Sequence, residues 1–227
     1  MRHFDSLMRI SIRLINKKWV TIVELMVVVA ILGLGIAALL QTIGSGIDYT
    51  RDTENKIKAI NIAREGIEGM TNIRDTNWLR FSSDKINCWK VKDYSSSCIG
   101  SVLPPYPIDP WYIATGSYTI FTNNGVWFLS GVATIPATTW IPYKNAYPVN
   151  LDSKGFYSQT GITNTLQCTS SRQTNCRTIF TREILIGIPA PTTQTGILSV
   201  KSIVRWIDGR PQNVILETTL TNWKSNF

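Results

Sequence analysis

Histidine is almost absent from this chain of 227 residues. The single histidine is His3, so the remainder has no imidazole for a catalytic triad or a histidine-based metal site. Only seven acidic residues follow residue 80, at scattered positions, and no H-E-x-x-H, Walker or G-x-S-x-G motif is present. These absences predict a protein that is not an enzyme and that binds neither a metal nor another cofactor. A hydrolase with paired carboxylates stays open, because pairing in space cannot be read from a sequence.

One long apolar run is present, at residues 19–40, and Glu24 is its only charged residue. About 20 apolar residues in a helix cross a hydrocarbon core of ~30 Å. The run is too long for the core of an ordinary secretory signal, and no A-x-A-like cleavage site follows it. Residues 1–19 carry five basic side chains and one acidic one, net +4. The positive-inside rule therefore predicts a single-pass membrane protein with its N-terminus in the cytoplasm and the rest of the chain outside.

Glu24 is unusual in this run, because a carboxylate within a membrane costs about 2–3.5 kcal/mol on insertion scales. One interpretation places it near the cytoplasmic interface, where it is partly hydrated. The other interpretation rests on its neighbours. The segment V-T-I-V-E-L at residues 20–25, which follows a lysine pair, resembles the F-T-L-I-E-L opening of type IV pilins and of the pseudopilins of type II secretion.

This resemblance implies that residues 1–19 are a leader removed by a prepilin peptidase and that Val20 is the mature N-terminus. Residues 20–41 would be the membrane and assembly helix, in which Glu24 pairs with the α-amine of Val20 in a neighbouring subunit. It also implies an inner-membrane assembly platform and other pilin subunits, or copies of this chain, as partners. The family has Gly or Ala before the cut, where this chain has Trp19. The indole favours an alternative, a protein that keeps its leader and stays anchored by one span.

Proline is absent from residues 48–80, where apolar side chains recur every three or four residues. This spacing predicts an amphipathic helix that continues the membrane helix over residues 42–80 and packs on a sheet. The apolar face comprises Ile57, Ile60, Ala63, Ile67, Met70 and Ile73. Gly33, Gly35, Gly44 and Gly46 lie between the two halves, and each costs ~1 kcal/mol relative to Ala in a helix. They predict a bend or a region able to unwind.

Residues 81–227 are expected to form a β-rich exported head domain. An Asn-Gly pair at residues 124–125 between alternating runs predicts a hairpin, and residues 82–116 and 136–176 are rich in loop signals. Further strands are predicted at residues 178–188, 197–207 and 214–222, with a turn at 208–211. Five strands of this kind make an antiparallel sheet. The expected class is α+β, with a long N-terminal helix packed on that sheet, as the resemblance to pilins also implies.

Four cysteines lie in the exported part, at Cys88, Cys98, Cys168 and Cys176. Gaps of nine and seven residues are too wide for the close pairs of a zinc site. An even number of cysteines in an exported domain fits disulfides. Sequence proximity favours Cys88–Cys98 and Cys168–Cys176, one of three connectivities.

The aromatic residues fall into two groups. Trp78, Trp127 and Trp206 lie in periodic segments and are predicted to be in the core. Loop aromatics either form a binding surface or cap the sheet. The best candidate for a recognition loop lies within residues 136–150 and comprises Trp140, Tyr143, Lys144 and Tyr147.

Three segments outside the membrane run are also similar to pilin-like proteins. They are A-R-E-G-I-E at residues 63–68, N-I-R-D-T-N-W at residues 72–78, and L-T-N-W at residues 220–223. The sequence therefore predicts a structural subunit of a type IV pilus or pseudopilus-like fibre, inserted in the membrane before assembly and at the cell surface afterwards. A minor tip subunit that acts as an adhesin or binds DNA is an alternative. Residues 81–227 carry twelve basic and seven acidic side chains, net +5 without a block, which predicts weak DNA binding at best.

Overall fold

The computed structural model describes residues 22–100, 112–132, 147–159, 166–169, 173–187 and 196–223. The first described element is helix α1, Ile22–Arg80. The chain divides into two compact units, residues 1–51 and residues 52–227, and α1 contributes to both. The predicted continuation of the apolar helix into an amphipathic one is therefore confirmed. The helix is unbroken at the four glycines between Gly33 and Gly46, whose capacity to unwind stays a prediction.

The second unit contains seven described strands and two short helices. The helices are α2, Lys85–Cys88, and a 3₁₀ turn at Ser96–Cys98. The strands are β1 Gly116–Asn123, β2 Val126–Val132, β3 Pro148–Leu151, β4 Tyr157–Ser158, β5 Cys176–Gly187, β6 Ile197–Asp208 and β7 Arg210–Thr221. The short strands β3 and β4 lie in a region expected to be loop and were not predicted.

All strands pair antiparallel in one sheet around β5. One side of β5 pairs with β6, which pairs with β7. The other side is shared: β1 pairs with residues 184–186 and β3 with residues 176–181 of β5, and β2 and β4 lie outside them. The α+β class with a long helix and an antiparallel sheet is therefore as predicted.

Both tight turns follow from glycine at a positive φ. Asn124 and Gly125 have φ values of 51° and 79°, which match the type I′ turn that joins twisted strands in a two-residue hairpin. Gly209, at φ 67°, is the single residue between β6 and β7. The ladder between these strands then runs through twelve consecutive pairs, from Asp208–Arg210 to Ile197–Thr221.

The face of α1 that packs on the sheet includes Ala63, Met70 and Ile73, as predicted, but differs from the predicted face at other positions. Ile57 is 55% exposed, so its assignment to the core was wrong, while Ile60 and Ile67 are only half-buried. The buried line instead runs through small residues together with larger ones, namely Ala59, Ile62, Ala63, Gly66, Gly69, Met70, Ile73, Asn77 and Trp78. Small side chains let the helix backbone approach the sheet closely, which a search for large apolar residues does not detect.

The apolar contacts form three clusters. The first packs Met70 and Ile73 of α1 against residues such as Ile120, Ile184 and Val200 of the sheet. The second packs Ala59, Ile62 and Ala63 against Val149, Phe180, Val204 and Trp206. The third surrounds the first cysteine pair and comprises Phe81, Cys88, Val91, Tyr94, Cys98 and Tyr112. Trp78 and Trp206 are buried, as predicted, and Trp127 is half-buried against the first cluster.

Candidate functional site

The candidate assembly segment is residues 22–51 of α1. Every side chain in this range is exposed, including large apolar ones such as Leu25, Val29 and Leu32. The helix is long enough and apolar enough to cross a membrane. An apolar surface of this length is far larger than a monomeric protein exposes to water. The segment therefore needs lipid or other protein around it.

Glu24 lies in the first described turn of α1 and is exposed. It is the only charged residue between residue 22 and Asp48. Trp19 and Val20, the residues of the predicted cleavage site, lie outside the described residues.

Three hydroxyl side chains of the segment form hydrogen bonds within the helix. Thr42, Ser45 and Thr50 each donate to the carbonyl oxygen four residues earlier, at 2.9, 3.0 and 2.8 Å. This bond is available to Ser and Thr in a helix without any water. These side chains therefore fit a nonaqueous environment.

Arg182 and Gln159 fill the gap in the sheet where β1 and β3 diverge along β5. The Gln159 Oε1 atom accepts from the Ile120 N–H at 3.2 Å, and its Nε2 atom donates to the Arg182 carbonyl at 2.7 Å. The Arg182 Nη2 atom donates to the Ile120 carbonyl at 3.0 Å. Side chains thus satisfy the two backbone groups of Ile120 where strand pairing stops.

The same guanidinium also reaches α1. Arg182 Nη1 donates to the Ile62 carbonyl at 3.2 Å and lies 3.3 Å from Glu65 Oε2, while Nε donates to Gln159 Oε1 at 2.9 Å. Arg182 is completely buried. Burial lowers the pKa of Arg182 and raises the pKa of Glu65, and the attraction between the two charges opposes both shifts. Arginine remains protonated in proteins, so a buried cation joins the second half of α1 to the sheet.

A second buried pair lies on the opposite face of β5. Neighbouring residues on a strand point to opposite faces, so Glu183 lies on the face away from Arg182. Arg205 Nη1 is 2.6 Å from Glu183 Oε2, and the Ser117 hydroxyl donates to Glu183 Oε1 at 2.6 Å. Both carboxylate oxygens are therefore bonded within the sheet.

Two of the pilin-similar segments, residues 72–78 and 220–223, meet in the structure. Trp78 Nε1 donates to Asn222 Oδ1 at 2.9 Å, and the Trp78 ring packs edge-on against Trp223, with centroids 5.3 Å apart. The guanidinium of Arg74 lies over the Trp78 ring, 4.6 Å from the ring centroid. These residues fix the end of α1 to the end of β7, so their role is structural.

The predicted recognition loop is corrected at one position. Tyr147 is completely buried, so it does not lie on a recognition surface. Its burial follows from its place directly before β3, where its carbonyl accepts from the Arg182 N–H at 3.0 Å. Trp140, Tyr143 and Lys144 lie outside the described residues. Among the described loop aromatics, Trp89, Tyr94 and Tyr112 are buried and cap the sheet rather than line a binding surface.

The disulfides are the two local pairs that sequence proximity favours, Cys88–Cys98 and Cys168–Cys176. Cys88 and Cys98 both belong to the third apolar cluster.

We expect Cys88→Ser/Cys98→Ser to lower the free energy of unfolding by ~2–4 kcal/mol, because the unfolded chain gains freedom and two buried sites become polar. Cys168→Ser/Cys176→Ser should cost less, since Cys168 is only half-buried. Urea unfolding measures both, and an equal loss in the two variants would contradict this ranking.

Among the described residues, no three His, Cys, Asp or Glu side chains are grouped so that they could hold a metal ion. Comparisons with protein-family models, with curated proteins and with solved structures find no match to this chain.

Proposed function

We propose that this chain is a structural subunit that polymerises through its assembly segment into a type IV pilus or pseudopilus-like fibre. The observation that carries the proposal is the contrast within α1. Residues 22–51 are wholly exposed and mostly apolar, whereas the line from Ala59 to Trp78 is buried on the sheet of its own unit. One helix thus serves as the core of a folded domain and as a surface for lipid or for other subunits.

Glu24 supplies the specificity of this association. A carboxylate in apolar surroundings requires a positive charge close to it. In the proposal, that charge is the α-amine of Val20 in a neighbouring subunit, created when a prepilin peptidase removes residues 1–19. The chain is then a single-pass protein before assembly and part of a surface fibre afterwards.

The proposal is tested by Glu24→Gln. Membrane insertion should be intact or slightly easier, because a charge leaves the lipid, whereas incorporation into fibres should be lost. Fibre and membrane fractions separated by shearing, each probed for this chain, give the measurement. Asp48→Asn is the matched control, since it removes an exposed carboxylate from the same helix outside the apolar run and should leave both fractions unchanged.

The intact mass of the protein from cells completes the test. Loss of residues 1–19 is expected, and Trp19→Gly should speed that loss and increase the amount of fibre. Normal assembly of Glu24→Gln after demonstrated removal of the leader would refute the pairing with Val20.

A second candidate function is favoured by Trp19 alone. An indole in place of glycine before the cut hinders a peptidase site shaped for a minimal side chain. The chain would then keep its leader and act as a single-span membrane anchor for its second unit. Retention of residues 1–19 in the intact mass, together with unchanged behaviour of Glu24→Gln, supports this function over the first.

A further inference from the structure

The outer strands β2 and β7 differ in whether other parts of the chain cover their free edges. The edge of β2 is covered by the chain near the first disulfide: the Tyr94 hydroxyl donates to the Trp127 carbonyl at 2.6 Å, and the Leu129 N–H donates to the Lys92 carbonyl at 3.5 Å. Tyr94 has a φ of 60°, which is rare for an aromatic residue. Its ring packs edge-on against Phe128, with centroids 5.5 Å apart, which helps to hold it there. The strained backbone of Tyr94 therefore lies where the chain covers the edge of β2.

The edge of β7 has no such cover in the part of the chain that the structure describes. Its only strand partner there is β6, and the ladder has no bulge along its twelve residues. Natural edge strands are usually protected by charges, prolines, bulges or short length. Strand β7 has one proline, Pro211, and two charged residues, of which Arg210 is its first residue and only Glu217 lies within it. A long and regular edge with so little protection is suited to pairing with another strand.

We propose that β7 pairs antiparallel with β7 of a second copy of this chain, around a two-fold axis at Ile215. Along an edge strand, every second residue directs its N–H and C=O groups outward. Two copies of one strand therefore pair antiparallel only when odd-numbered residues lie opposite odd-numbered residues and even-numbered residues lie opposite even-numbered ones. Pro211 has no N–H, and a proline in an edge strand sits where that group would face away from the ladder. Ile215, which has the same parity as Pro211, therefore directs its N–H and C=O outward.

The side chains are compatible with this register. It places Ile215 opposite its own copy, Val214 opposite Leu216, and Asn213 opposite Glu217. Ile215 is 52% exposed, and the pairing buries it against an identical apolar side chain. A register centred on Glu217 would place two carboxylates directly opposite each other, which is unfavourable.

This contact is independent of the proposed fibre. A two-fold interface is closed and cannot propagate by itself, so it joins two chains whether or not their assembly segments polymerise. It uses the backbone of the second unit and no residue of the assembly segment.

Position-specific cross-linking tests the contact in the full chain in detergent micelles. The four native cysteines are all in disulfides, so Ile215→Cys introduces the only free thiol. Directly opposite residues of an antiparallel pair have Cβ atoms about 4.5–5.5 Å apart, which is near disulfide reach. Mild oxidation should convert Ile215→Cys to a covalent dimer. Ile179→Cys is the control, because Ile179 is 45% exposed on the central strand β5 and lies away from the edge.

Charge substitution gives the second arm. Ile215→Lys and Ile215→Glu should each lose the dimer, because like charges meet at the axis, and a mixture of the two should recover it. Association through the assembly segment would persist in both variants and would give equal cross-linking at positions 179 and 215. Equal cross-linking at the two positions, or a dimer unchanged by Ile215→Lys, overturns the proposal.

Discussion

Replacing Arg182 by methionine should lower the free energy of unfolding by about 3–5 kcal/mol, the range measured when one partner of a buried ion pair is removed. The substitution keeps much of the apolar stem but removes every donor of the guanidinium. Gln159, the Ile62 and Ile120 carbonyls and the Glu65 carboxylate each lose a partner inside the protein. Urea unfolding of the full chain in detergent, followed by tryptophan fluorescence, gives the measurement.

Lys201→Met is the matched control for this loss. Lys201 also lies on a strand and is 3.1 Å from a glutamate, Glu217, but the two side chains are 41% and 53% exposed. Exposed pairs of this kind contribute about 0–1 kcal/mol. The account would be wrong if the Arg182 and Lys201 variants lost the same stability.

The loss in Arg182→Met should also depend on pH. Burial raises the pKa of Glu65, so the folded chain binds this proton more tightly than the unfolded chain. The protonated Glu65 contributes its full stabilisation at pH values below the ordinary pKa of glutamate. This contribution is lost as the pH rises through the raised pKa of Glu65 in the folded chain. Without Arg182 the pKa should rise further. The variant should therefore regain part of its stability as pH falls toward the glutamate range, and Glu65→Gln in the same chain should remove that pH dependence.

Gly66→Val should cost about 3 kcal/mol, because the helix backbone lies against the sheet at this residue and no space exists for a side chain. A Cβ atom on Gly66 would lie 2.6 Å from Ser202 Oγ and 2.9 Å from Ile184 Cδ1. Both neighbours are buried in the sheet. Gly69 is similarly confined, with Ile120 Cδ1 at 2.7 Å and Trp127 Cε3 at 2.8 Å from the Cβ position.

Gly44→Val makes the same substitution in the same helix without the contact. No heavy atom lies within 4 Å of a Cβ atom built on Gly44. Because valine is a slightly better helix former than glycine, this variant should leave the unfolding of the second unit unchanged. Urea unfolding distinguishes the two positions. Equal midpoints for Gly66→Val and Gly44→Val would show that helix propensity, and not contact with the sheet, decides the outcome.

Local features of the fold were predictable because nearby residues determine them. The apolar run and its continuation depend on a period of three to four residues, and the Asn124-Gly125 hairpin depends on two residues with positive φ. The disulfides join cysteines ten and eight positions apart. In each case the partners are close enough in sequence to be recognised without the fold.

The missed features depend on distant residues. Arg182 and Gln159 would pass for surface residues of a strand and a loop, and only the divergence of β1 from β3 makes them buried partners. Gly66 and Gly69 matter because they have no side chain, so the helix can approach the sheet closely there. An analysis of hydrophobic periodicity does not include glycine in the apolar face. The prediction that Tyr147 belongs to a recognition loop fails because Tyr147 directly precedes β3 and is buried there.

The bond between Trp78 and Asn222 joins residues 144 positions apart. The bond between Arg182 and the Ile62 carbonyl spans 120 positions. Because synthesis proceeds from the N-terminus, Asn222 is made 144 residues after Trp78, so the end of α1 cannot reach this contact until that stretch has been synthesised. The apolar start of α1 emerges much earlier, and contacts of such high sequence separation form slowly. In the proposed function, entry of α1 into the membrane therefore precedes completion of the core, because Asn222 follows Trp78 by 144 positions.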